Sequence, residues 1–60
     1  MRKRDALRLH NRDDVEVRTA PGEWSPGYVL GEPKVYGDDL VIPVQTKEAG
    51  YQEVSYTEVR

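Results

Sequence analysis

Apolar and polar residues alternate with a two-residue period over much of the chain from Asp14 onward. Val15 and Val17 stand between Asp14, Glu16 and Arg18, the pattern of a strand with one buried face. Pro21-Gly22 then marks a turn, because proline pre-sets φ at the first central position and glycine accepts positive φ at the second. A second strand is expected from Trp24 to about Leu30. It contains Pro26, which has no N–H to give to a ladder and so belongs at an edge or bulge. It also contains Gly27, which permits a sharp bend. Gly31 to Asp39 reads as a loop, with Gly31, Pro33, Gly37 and the pair Asp38-Asp39 as turn residues. Leu40, Ile42 and Val44 alternate with Val41, Pro43 and Gln45 as a third strand, Pro43 marking another outward or edge position. Lys47 to Gly50 is a hairpin turn. Tyr51 to Tyr56 is a fourth strand with Val54 inward, and Thr57 to Arg60 a tight turn with a short fifth strand that turns Val59 inward.

Five short strands at close spacing, each with two or three inward aliphatics, predict an all-β fold: a small antiparallel five-stranded barrel over residues 13–60. The expected core is Val15, Val17, Val29, Leu30, Leu40, Ile42, Val44, Val54 and Val59. Residues 1–12 form an N-terminal arm. In it Ala6, Leu7 and Leu9 fit a short helix or an extended segment, and the i, i+2 spacing of the leucines favours the extended form. The arm is placed over one open end of the barrel.

Composition sharpens this picture at two points. The chain has 60 residues and no cysteine, so one small domain must stand without a disulfide or a Cys-based zinc site. A domain of this size buries only about 60% of the surface its unfolded chain exposes, which favours oligomerisation or a partner. Charge is divided unevenly. Arg2, Lys3, Arg4, Arg8 and Arg12 oppose Asp5 alone, a net of +4, whereas residues 13–60 hold four basic and ten acidic side chains, a net of −6. A basic arm of this kind neutralises phosphates, solvates a terminus, or lies on the acidic body of a neighbouring copy. No apolar run reaches the roughly 20 residues needed to span a bilayer. Asp5 to Arg12 is no apolar signal-peptide segment, and a cytoplasmic location is the default expectation. Length and the opening Met1 suggest a whole gene product, of the size of phage or mobile-element accessory proteins.

The runs Asp14-Val15-Glu16-Val17-Arg18 and Gly22-Glu23-Trp24-Ser25-Pro26-Gly27-Tyr28-Val29-Leu30 resemble the first half of an Agenet or Tudor domain. The closing Glu53-Val54-Ser55-Tyr56-Thr57-Glu58-Val59-Arg60 is similar to the end of that pattern. The resemblance implies an SH3-like barrel and, by analogy, an aromatic cage. Trp24 matches a cage-like position with Tyr28, Tyr51 or Tyr56 near it, while Ile42-Pro43-Val44 stands where an aromatic belongs. A weaker likeness, carried by Val54-Ser55-Tyr56 with Gln52 two residues earlier, is to the plasmid-type dihydrofolate reductases. It implies a tetramer with activity at a central pore.

Catalytic sets are not evident. Ser25 and Ser55 have only His10 as a histidine partner, and His10 lies in the arm. Asp13-Asp14 and Asp38-Asp39 lack the ligand spacing of a calcium loop and read as strand entry and hairpin turn. Gly31, Gly37 and Gly50 are spaced as turn residues, not as a phosphate loop. The expectation is a non-enzymatic adaptor with no metal and no cofactor, binding protein or its own copies through an aromatic patch of Trp24, Tyr28, Tyr51 and Tyr56. The structural alternative is that Trp24 caps the barrel while Tyr36 and Tyr56 pack across strands. A nucleic-acid module working through Arg2, Lys3, Arg4, Arg8 and Arg12 is the second reading. Scattered Arg18, Lys34, Lys47 and Arg60 add little to it on a body this acidic.

Overall fold

A computed structural model describes all 60 residues. Helix α1 (Lys3–Ala6) is followed by strands β1 (Asp14–Ala20), β2 (Glu23–Val29), β3 (Lys34–Tyr36), β4 (Asp39–Thr46) and β5 (Gly50–Ser55), then a 3-10 helix at Tyr56–Glu58. The all-β class and the antiparallel pairing are as expected. The assignment of two elements is corrected. The Gly31–Asp39 segment contains β3, where a loop was expected. Thr57–Arg60 is no strand: it completes the 3-10 turn and makes one bridge, Val17 to Val59.

All pairings are antiparallel in one sheet, ordered β1-β2-β4-β3, with β5 on the other side of β4. Strand β4 is therefore the hub. Its end pairs with β2 through Val44–Thr46 and its start with β3 through Asp39–Val41, while β5 runs along the opposite edge. Beyond Val17–Val59, Glu16 and Arg60 exchange two backbone hydrogen bonds of 2.8 and 2.9 Å. The last residue is thus tied to the free edge of β1, although β1 and β5 do not pair.

The turns follow their residues. Gly37 and Asp38 join Tyr36 to Asp39 in a two-residue hairpin whose positive φ (57°) falls at the glycine, the position that a II′ turn reserves for glycine. Pro21-Gly22 joins β1 to β2, and a register shift between Arg18 and Ala20 adds one unpaired residue, Thr19. Such a bulge increases the local twist.

Both strand prolines sit where an N–H is not needed. Glu16 turns its backbone groups to Arg60, so its partner Pro26 faces its nitrogen toward β4, whose pairing with β2 begins only at Gly27. Pro43 is buried, a correction to its expected outward or edge position. Its carbonyl accepts from Leu30 N–H at 2.9 Å, so its nitrogen points into the break between β2 and β3, where no ladder bond is lost.

The core comprises Ala6, Val15, Val17, Val29, Leu40, Ile42, Val44 and Val59, with Met1, Leu9, Val54 and Tyr56 packed against it. Leu30 and Val54 are half-buried, not core members as expected. Ala6 joins the core at 0% exposure. The arm is a helical turn plugged into the body, where the leucine spacing favoured an extended segment. Leu7 points away from the core and stays 60% exposed. No helix is long and apolar enough to cross a membrane.

Candidate binding face

The outward side of the sheet collects the aromatic residues. On β2, Trp24, Pro26 and Tyr28 share one face, because side chains two residues apart lie on the same side of a strand. Their partners on β1 are Arg18, Glu16 and Asp14. Across β4 the row continues from Tyr28 to Gln45 and on to Tyr51 of β5. Register therefore brings Trp24, Tyr28 and Tyr51 to one face. It does not bring Tyr56 there: Tyr56 lies in the 3-10 helix, packed against the core, with Lys3 Nζ 5.7 Å from its ring.

Trp24 is half-buried on this face. Arg60 and Arg18 place their guanidinium carbons 4.3 and 5.3 Å from its ring centre. Each is held by a carboxylate, Arg60 Nε by Glu16 at 3.1 Å and Arg18 Nε by Glu58 at 2.9 Å. Arginine on tryptophan is the strongest common cation–π pairing, worth about 0.5–1 kcal/mol at an exposed site. At the other end of β2, Arg12 lies 5.6 Å from the Tyr28 ring. Arg12 has a left-handed backbone (φ 78°), held by its N–H bond to Val29 O at 2.7 Å.

Between these two capped rings runs a shallow trough. One half, of about 440 Å³, is lined by Asp14, Pro26, Gly27, Tyr28, Gln45 and Lys47, among others. The other, of about 390 Å³, continues past Asp14, Pro26 and Gly27 to Glu16 and Arg60. Beneath it β2 and β4 approach closely at Gly27. A Cβ there would stand 2.6 Å from the Gln45 carbonyl oxygen and 2.9 Å from Thr46 Cγ2. A larger open depression of about 610 Å³ separates Leu7, Leu9, His10 and Asn11 from Gly31, Glu32 and Pro33.

The arm residues divide. Lys3 donates to the Asp38 backbone carbonyl and Arg12 stacks on Tyr28, while Arg2, Arg4 and Arg8 are exposed and unpaired. The candidate catalytic groups do not converge. Ser25 is buried, sharing bonds of 3.2 Å with Thr19 and Glu48, and Ser55 bonds Asp39 at 2.9 Å. His10 meets Asp13, whose carboxylate accepts its backbone N–H at 2.8 Å. No three His, Cys, Asp or Glu side chains cluster to hold a metal.

Two features of the face had no sequence signal. Arg60 belongs to it only because the chain end returns to β1, and Glu58 only because the 3-10 turn places it beside Arg18. No family model, curated protein or solved structure matches the chain.

Proposed function

We propose that the chain is a small SH3-like, Tudor-like barrel and works as a non-enzymatic adaptor, binding protein through the face of Trp24, Tyr28 and Tyr51. The observation that carries this reading is that register brings Trp24, Tyr28 and Tyr51 to one face, beside a trough over Pro26 and Gly27 that Tyr28 lines. Rigid aromatic side chains on an exposed, charge-rimmed surface are the anchors of protein interfaces. The barrel reading draws support from the Val17–Val59 bridge and the paired Glu16–Arg60 bonds, which bring the chain end back to the first strand.

The test is affinity capture from cells of the source organism with the wild type and with a Trp24→Ala, Tyr28→Ala, Tyr51→Ala triple variant, both shown to be folded by circular dichroism. The expected outcome is a partner retained by the wild type and lost by the variant. An identical partner set for both would refute the face.

The exposed, unpaired guanidinium groups of Arg2, Arg4 and Arg8 favour a second reading, contact of the arm with nucleic acid. It ranks lower because the body behind the arm is acidic. It predicts binding to a mixed-sequence duplex that falls steeply with salt and disappears when Arg2, Arg4 and Arg8 become glutamine. Binding that is indifferent to both changes would dismiss it.

A further inference from the structure

We infer that the free edge of β5 pairs with β5 of a second copy of this chain, antiparallel about a two-fold axis at Gln52. The inference goes beyond the aromatic face, since it concerns the backbone of a sheet edge. Pro43 has no N–H and its carbonyl accepts from Leu30, so its backbone faces β2, and that of its β5 partner Glu53 faces away from β4. Pairs alternate along an antiparallel ladder. The backbone of Tyr51, opposite Gln45, therefore faces outward as well, while Gln52 and Val54 turn theirs to Val44 and Ile42. No turn, loop or side-chain hydrogen bond reaches the N–H or C=O of Tyr51 or Glu53. Tyr51, Gln52 and Glu53 are all exposed. An open row of donors and acceptors is a template for another strand. No bulge, proline or lysine blunts this one.

The other edges of the sheet do not match it. The middle of β1 is closed by the two bonds that Glu16 exchanges with Arg60, and β3 is only three residues long. A second β5 has the same unmet groups at the same spacing, so one contact satisfies both copies. The side chains then select the register. With Gln52 on the axis, Tyr51 of each copy stands opposite Glu53 of the other, and the two residues exchange both backbone bonds. The phenol donates where the carboxylate accepts, and the two Gln52 amides, each both donor and acceptor, face one another. Val54 stands opposite Gly50, which has no side chain to oppose it. Moving the axis to Glu53 sets two carboxylates directly opposite, which is destabilising. Moving it to Tyr51 sets Glu53 opposite Ala49, whose N–H already donates to Thr46 at 3.0 Å. The pairing continues the sheet through both copies and adds ordered structure to a chain with a core of eight residues.

The experiment is sedimentation equilibrium of the full chain up to about 1 mM, with hydrogen exchange of the backbone amides at both ends of that range. The wild type is expected to dimerise. The amides of Tyr51 and Glu53 are expected to gain protection with concentration, while those of Gln52 and Val54 are protected throughout. Q52K and Q52E each set like charges on the axis and are expected to weaken dimerisation by about fivefold, with unchanged Trp24 fluorescence showing that the fold persists. An equimolar mixture of the two is expected to restore dimers, because opposite charges then meet there. E53P removes an outward N–H without touching the β4 ladder and is expected to abolish the dimer. A wild type that stays monomeric throughout overturns the inference, as does a dimer in which Tyr51 and Glu53 gain no protection. A dimer that Q52K, Q52E and E53P leave intact and Trp24→Ala dissolves overturns it in favour of association through the aromatic face.

Discussion

Gly27 shows how one residue can serve the fold. An added side chain there would meet the β4 backbone at Gln45 and the side chain of buried Thr46, so its absence lets β2 and β4 approach. Gly27→Ala is expected to destabilise the protein by about 1–3 kcal/mol, since a backbone oxygen cannot swing aside. Urea denaturation followed by Trp24 fluorescence measures it. Ile42 is the largest fully buried side chain. Ile42→Ala is expected to cost about 2–5 kcal/mol, enough to populate the unfolded state of a chain this small. Val35, 69% exposed on β3, supplies the contrast: Val35→Ser should stay within about 0.5 kcal/mol. Both variants are read from the same denaturation curves.

At the scale of elements, the arm and the chain end behave differently from what their charge suggests. Residues 3–6 form a helical turn too short to persist alone. It persists because Ala6 enters the core and Lys3 reaches Asp38. Ala6→Asp is therefore expected to release the arm, seen as lost protection of the Leu7, Leu9 and Arg12 amides in hydrogen exchange, while β4 stays protected. An equal loss in both would show that the arm is integral to the whole sheet. The chain end is held by backbone bonds to Glu16 and by the stack on Trp24. Arg60→Ala should shift the Trp24 emission yet cost less than about 1 kcal/mol, because exposed ion pairs and stacks contribute little each.

At the scale of the molecule, the division into a 1–12 arm and a 13–60 body describes charge better than packing. Met1, Ala6 and Leu9 share the cluster of Val17, Val29 and Ile42. One cooperative transition is expected, with coincident urea midpoints for Trp24 fluorescence and for far-ultraviolet circular dichroism. An arm signal that melts first would separate the two parts.

Alternation alone located β1, β2, β4 and β5 and seven of the eight core residues, because burying one face of a strand forces a two-residue period. Of the expected aromatic patch, Trp24 and Tyr28 share a side of β2 by the same period, whereas Tyr56 lies in the 3-10 helix against the core. Alternation was silent on β3, since all three of its residues are exposed and a strand with no buried face leaves no period. It was silent on Ala6, whose small side chain marks no element until packing buries it. It also misplaced the end of the chain, because a 3-10 turn and a single bridge have no repeat to read. Pro43 was read as an edge residue because proline lacks a donor. The break between β2 and β3, which makes that donor unnecessary, is a long-range arrangement. Local spacing determined which residues face together. Only the tertiary structure decided that Arg12, Arg18 and Arg60, distant along the chain, converge on the same two rings, because that depends on where the chain returns.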